Sequence, residues 1–188
     1  MLSQDHSDRD NRRFASWLCA TLLVGGCASA SLVFACATPF AAFAVLAAAV
    51  LPLRPALITI GLVWAVNQAI GFGILDYPRT MNSALWGLGI GVAALVTTVA
   101  AAAMFRRFAS MSSFALYPVA LVVCYAVYEL VMLAMTPVLG GTESFSMEIV
   151  RQLAVVNAVW LAGLVVAYEL LRRVNGLASA RTQGARPL

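Results

Sequence analysis

A short stretch of this otherwise apolar chain carries many of the side chains that could hold a polar ligand. Between Val66 and Gly87 the sequence reads VNQAIGFGILDYPRTMNSALWG, which places amide, carboxylate, phenol, guanidinium and indole groups between two apolar runs. Amide and guanidinium groups can hydrogen-bond a ligand's amides or phosphate, and aromatic side chains can pack against a flat ring. The candidate binding residues in this stretch are Asn67, Gln68, Asp76, Tyr77, Arg79, Asn82 and Trp86.

Two later segments add side chains of the same kind. Helical spacing places Tyr125, Tyr128 and Glu129 on one face, and Arg151 follows a Gly-Gly loop. Counting back from the assumed helix ends puts Asn67, Glu129 and Asn157 at a common depth of about 12 Å. We favour Arg151 over Asn157 as a binding residue, on the expectation that Arg151 belongs to the loop, since a regular helix would separate the two by about half a turn.

The composition indicates which kind of element must position these groups. The chain has 188 residues, of which 62% are hydrophobic and only 11% charged, and its mean hydropathy is +0.90. This is too little polar surface to cover a soluble globule, so the chain belongs in a bilayer. A spanning helix needs about 20 apolar residues, which leaves no room for a separate soluble domain.

The apolar segments predict an all-α fold, a polytopic membrane bundle of six transmembrane helices. The second segment is too short to cross upright, so it is buried in the bundle, partly interfacial or continuous with its neighbour across Pro39. We expect a tail over 1–13, one membrane domain over 14–171 and a second tail over 172–188. The predicted helices are 14–36, 39–52, 55–75, 82–105, 113–137 and 149–171.

The arginines predict how the bundle is oriented. All twelve basic residues are Arg, and ten of them fall on one side of the predicted topology. Short cytoplasmic loops retain positive charge, so both termini should be cytoplasmic, with loops 76–81 and 138–148 outside. The formal charge of +4 is thereby explained without a nucleic-acid partner. The expected location is the inner membrane of a bacterial cell.

Each polar residue also has a purely structural interpretation. Asn and Gln in membrane helices often join helices, at roughly 0.6–2 kcal/mol each, and Trp and Tyr are common at the membrane interface. Glu129 could form a structural salt bridge with Arg151 or Arg79. We nevertheless favour an outward-facing pocket, because a buried carboxylate is costly and the polar groups share one depth on several helices.

Small residues and cysteines suggest packing rather than catalysis. Gly87 and Gly91 form a GxxxG pair for close packing, and the first helix has similar steps such as Cys27/Ser31. The four cysteines lack metal-finger spacing, although Cys36 near the outer end of the first helix could reach a soft metal as a thiolate. The chain has one histidine, in the N-terminal tail, and no hydrolytic triad or P-loop, so we do not expect an enzyme.

The run CATPFAAFAVLAAAVLPLRPAL followed by NQAIGFGILDYPRTMNSALWG, in a small six-helix chain, resembles the substrate-binding components of energy-coupling-factor vitamin transporters. Within that group the chain is most similar to the BtuM family of cobalamin transporters. The resemblance implies capture of a vitamin outside and its delivery inward, alone or with a transmembrane coupling subunit and ATPases. No intrinsic cofactor is implied, and cobalamin would be the transported ligand.

Family members can ligate the corrin cobalt with a cysteine. The 66–87 stretch has no cysteine, so in this chain such a contact would have to come from Cys36 or be absent. The first helix also has looser small-xxx-small steps than the Ala-xxx-Ala pattern with which substrate components commonly dock on a coupling subunit.

In the expected mechanism the polar cluster binds the vitamin and loop 76–81 closes over it. Two other classes of function stay open. A proton-coupled carrier would use Glu129 as a buried protonatable group, and a non-transporting scaffold would use the small faces of the first and fourth helices.

Overall fold

The chain folds into a bundle of helices. The computed structural model describes residues 2–34 and 38–184. Its principal helices are α1 (Leu2–Phe34), α2 (Phe40–Val50), α3 (Leu53–Gly73), α4 (Met81–Arg107), α5 (Ser113–Leu133) and α6 (Met147–Gly184). A helical turn (Thr136–Leu139) and a 3-10 turn (Thr142–Phe145) lie between α5 and α6. The described residues contain no β-strand, as the all-α prediction requires.

Five of these helices are long and apolar enough to cross a membrane. Their candidate spans are Phe14–Val33, Leu53–Gly73, Met81–Arg107, Phe114–Leu139 and Met147–Val174. The predicted polytopic helical membrane bundle is therefore confirmed. The described residues of the two predicted tails, 2–13 and 172–184, continue α1 and α6 as helix.

The short helix α2 lies at the centre of the bundle. It contacts each of the other five helices, and every residue from Phe40 to Ala47 is at most 2% exposed. Its sequence, FAAFAVLAAAV, is apolar on all sides, which is typical of a helix without a solvent face. Of the three placements that the sequence leaves open for this segment, the structure shows burial inside the bundle. The small alanine side chains allow neighbouring helices to approach α2 from every direction.

Consecutive helices run in opposite directions. Asn67, near the C-terminal end of α3, hydrogen-bonds Thr38 just before α2, so the start of α2 lies beside the end of α3. The end of α2 lies within three residues of the start of α3, so these two helices are antiparallel. Since Asn67 lies six residues before Gly73, α2 starts about 9 Å short of the end of α3. We call the end of the bundle with connections 74–80 and 134–146 the outer end.

Helices α3 and α4 pack through the predicted glycine pair. Gly87 and Gly91 are buried, and α3 places Gln68 over Gly87 and the indole of Trp64 over Gly91. The Trp64 Nε1 donates a hydrogen bond of 2.8 Å to the Gly87 carbonyl. The absence of Cβ atoms on α4 therefore lets two large side chains of α3 reach its backbone.

The small residues of α1 also pack inside the chain. The Cys27 thiol donates to the Val63 carbonyl on α3 at 3.3 Å, and a Cβ at Gly26 would lie 3.3 Å from the Trp160 ring on α6. The predicted small-xxx-small steps of α1 thus contact helices of the same chain.

Candidate functional site

The first group of polar side chains surrounds the start of α2. The Asn67 amide nitrogen donates to the hydroxyl of Ser31 at 3.0 Å and to that of Thr38 at 2.9 Å. The Asn67 carbonyl oxygen accepts from the Gln68 amide nitrogen at 3.0 Å. Asn67 is 7% exposed, so its amide is satisfied by α1, by the segment before α2 and by its neighbour on α3.

Asn157 supports the same helix from the opposite side. Its Oδ1 accepts a hydrogen bond of 3.0 Å from the backbone N–H of Ala42, and its amide nitrogen donates to the Leu153 carbonyl at 3.0 Å. Ala42 is in the first turn of α2, where backbone N–H groups lack partners within the helix. Because the residue before α2 is Pro39, whose side chain makes no capping hydrogen bond, Asn157 of α6 acts as a cap supplied from another helix.

A second group lies between the outer end of α4 and the α5–α6 connection. Asn82 donates to the Leu139 carbonyl at 3.0 Å, the Met135 sulfur lies over Gly89, and a Cβ at Gly141 would be 3.5 Å from the Trp86 ring. Asn82, Trp86 and Gly89 therefore lie along one face of α4, and residues 134–141 contact that face.

Two glycines shape this cover. Gly140 and Gly141 both have φ of +81°, a region that residues with a Cβ rarely adopt. The Gly-Gly pair therefore allows the chain to turn back over α4 before α6 begins.

The third group lies on α5. The Tyr125 hydroxyl donates to the Val150 carbonyl on α6 at 2.7 Å, and Glu129 follows Tyr125 by one turn on the same face of α5. The Tyr128 ring stacks on Phe40 of α2 with centroids 6.3 Å apart and planes at 14°. The predicted α5 stripe thus contacts both α6 and the first residue of the central helix.

Glu129 is half-buried within a membrane-spanning helix. A charged side chain at such a position is costly, so Glu129 is a candidate functional residue.

The α3–α4 connection folds back on α3. The Tyr77 N–H donates to the Gly71 carbonyl at 3.0 Å, and a Cβ at Gly71 would lie 2.6 Å from the Tyr77 ring. The ring also makes an edge contact with Phe72 at 6.1 Å. Asp76 and Arg79 are exposed, and Asp76 turns the chain with a φ of +50°.

Arg151 does not lie where the sequence analysis expected it. It belongs to the second turn of α6 rather than to the preceding loop, and it is exposed. Asn157 is 5% exposed, so of the two residues only Asn157 points into the bundle. The condition that Arg151 belongs to the loop is therefore not met, because the helix that begins at Met147 includes it.

The structural salt bridge that Glu129 could form with Arg151 or Arg79 is not found in the described part of the chain. The ion pair given there joins Arg172 and Glu169 at 2.8 Å. Both of these residues lie at the end of α6 remote from Glu129, so they supply no counter-ion to it.

The metal hypothesis concerns residues at the end of α1. Cys36 lies outside the described residues. Cys19, Cys27 and Cys124 are free and buried, as expected for small membrane residues. Among the residues that the structure describes, no three His, Cys, Asp or Glu side chains are grouped so that they could hold a metal ion.

Several contributors to these groups escaped the sequence analysis. Ser31, Thr38, Phe40 and Met135 belong to segments that read as ordinary helix or turn, and each acquires its contact only through tertiary packing. The sequence does contain a signal for Ser31 and Thr38, because a hydroxyl in an apolar segment needs a hydrogen-bond partner.

Comparisons of the chain with models of known protein families, with curated proteins and with solved structures gave no match.

Proposed function

We propose that this chain is a membrane protein for uptake of a vitamin, either as a transporter or as a substrate-capture component, with cobalamin or a related corrinoid as the first ligand to test. The observation that supports the proposal is the set of half-buried aromatic and polar side chains in the outer halves of α4 and α5. Trp86, Tyr125, Tyr128 and Glu129 are each neither fully buried nor fully exposed, which is typical of side chains that line a ligand site.

The proposed site contains fewer residues than the set of candidates named from the sequence. Asn67 and Asn157 are committed to the start of α2, so they stabilise the bundle from which the site is built. The ligand contacts are assigned to Asn82, Trp86, Tyr125, Tyr128 and Glu129. The covering segment is the α5–α6 connection, because it contacts both Asn82 and Trp86, while Tyr77 packs on its own helix.

The direct test is equilibrium binding of a vitamin panel, including cobalamin and cobinamide, to the detergent-purified protein. The Trp86→Ala variant should weaken corrinoid binding at least tenfold, because a large aromatic contact is removed. Trp17→Ala is the matched control, since Trp17 is 74% exposed on α1. Equal affinity of the two variants, or no binding by folded protein, would reject the proposal.

A second candidate function is proton-coupled uptake through Glu129. It is favoured by one observation, the half-buried Glu129 within the membrane-spanning helix α5. An intramembrane acid without a counter-ion is a natural proton carrier. The expected cycle protonates Glu129 from the outer side and releases the proton inward together with the substrate.

Uptake by cells or proteoliposomes distinguishes the two candidates. If Glu129 carries protons, Glu129→Gln should abolish the uptake driven by a proton gradient, while Glu148→Gln, an exposed acid in the first turn of α6, should retain it. Uptake by Glu129→Gln that still responds to the gradient would remove proton coupling and leave capture as the proposal.

A further inference from the structure

An apolar groove lies on the surface of the bundle, in the half remote from the outer end. It lies between the first half of α3 and the second half of α4 and has a volume of about 750 Å³. Its lining residues are Leu57, Ile58, Gly61, Leu95, Val96, Val99 and Ala100. A Cβ at Gly61 would meet nothing within 4 Å, so the groove is open at its floor.

Three arginines continue the two faces that form this groove. Arg54 precedes Ile58 by one turn and Gly61 by two turns of α3, and therefore shares their face. Arg106 and Arg107 each follow a groove residue, Val99 or Ala100, by seven positions and share the α4 face in the same way. All three side chains are exposed.

The positive charges of these three arginines are not balanced by acidic residues on the two helices that form the groove. Neither α3 nor α4 contains an acidic residue. Within the described residues, Arg54 and Arg106 make no side-chain hydrogen bond or ion pair, and Arg107 lies 5.7 Å from the Phe108 ring centroid. An apolar groove therefore leads along the bundle to a cluster of positive charge.

We propose that this groove binds an anionic glycerophospholipid, with an acyl chain along α3 and α4 and the phosphate between Arg54 and the Arg106–Arg107 pair. Guanidinium groups bind phosphate through paired N–H donors, and basic pockets between membrane helices suit anionic head groups. The rise from Arg54 to Ile58 is about 6 Å and that from Val99 to Arg106 about 10 Å, so long arginine side chains can reach the same head group.

A lipid chain fits the groove better than a transmembrane helix of a partner. Helix–helix contacts in membranes are rich in small residues along several turns. Here the lining is mainly Leu, Ile and Val and covers less than two turns of each helix. A flexible acyl chain can follow such a surface, and the arginines are complementary in charge to an anionic head group.

The test is native mass spectrometry of the full, delipidated protein titrated with phosphatidylglycerol or phosphatidylcholine. The wild type should bind the first phosphatidylglycerol more tightly than phosphatidylcholine. In the Arg54→Gln/Arg106→Gln variant the phosphatidylglycerol affinity should fall about 25-fold, since each arginine near an anionic lipid contributes about fivefold. Arg172→Gln/Arg173→Gln removes the same charge from α6 and should have little effect.

A second pair of variants tests the groove itself. Gly61→Leu fills the floor and should reduce binding of the first lipid, whereas Gly163→Leu, at another glycine with no atom within 4 Å of a Cβ, should not. Equal affinity for the two lipids, or equal effects of the two members of either variant pair, would overturn the proposal. The proposal would also be overturned if the wild type formed a dimer that Gly61→Leu could not form, while the two proteins bound lipid equally well. The groove would then hold a second copy of the chain. The arginine pair lies on an exposed surface and keeps the test decisive should Gly61→Leu fold poorly.

Discussion

At the residue scale, the buried amides serve the backbone of α2. A short helix enclosed by other helices cannot satisfy its first N–H groups with water. Asn157 supplies an acceptor to the Ala42 N–H, and Asn67 binds the Thr38 hydroxyl just before the helix. These two residues therefore determine where the central helix can begin.

The loss of the Asn157 amide should destabilise the protein. In Asn157→Ala the Ala42 N–H is left buried without an acceptor, which costs about 1–3 kcal/mol. Denaturant unfolding in detergent micelles should show a corresponding loss of stability. Asn82→Ala provides the control, because Asn82 is exposed although it also donates to a backbone carbonyl; an equal loss in both variants would contradict the capping role.

At the element scale, the contact between α3 and α4 depends on missing Cβ atoms. Trp64 lies over Gly91 while its Nε1 is bound to the Gly87 carbonyl. The indole cannot swing away without losing that hydrogen bond. The pair of helices therefore has little freedom to accommodate an added methyl group.

Gly91→Ala should consequently be destabilising. The new Cβ would lie 2.9 Å from Trp64 ring atoms, and overpacking of this kind costs about 1–3 kcal/mol. Thermal unfolding of the purified protein measures the loss. In the matched variant Gly163→Ala the added Cβ meets nothing within 4 Å, so its unfolding temperature should not fall below that of the wild type, since alanine favours a helix more than glycine does. A similar drop in both variants would contradict the packing explanation.

At the scale of the whole molecule, the alternation of six helices places the α4–α5 connection and the α5–α6 connection at opposite ends. Arg54, Arg106, Arg107 and Arg172 share the end with the α4–α5 connection. Since positive residues are retained in the cytoplasm, that end should face inward.

Cysteine accessibility in intact cells tests this orientation. In a variant with all four native cysteines replaced, Glu143→Cys should react with a membrane-impermeant maleimide added outside, because Glu143 is exposed in the outer connection. Ser110→Cys, exposed in the α4–α5 connection, should react only after the membrane is permeabilised. The reverse pattern would invert the predicted topology.

Much of the fold could be predicted from local properties of the chain. The apolar segments predicted the helices to within a few residues for α3 and α4, and the spacing of Gly87 and Gly91 predicted close packing. The stripe on α5 was also predicted, because helical periodicity is a local property. Arg151 would line a cavity with Asn157 only from a loop, and it lies in helix α6 instead.

The sequence by itself determined that this is a polytopic helical membrane protein, because hydrophobic length and composition act on each segment independently. Only the tertiary structure decided that α2 is the central helix and that Asn67 and Asn157 support its start. It also decided that residues 134–141 cover the outer face of α4. The physical reason is that a polar group in a membrane helix needs a partner, whereas which partner it finds depends on distant segments that only packing brings together.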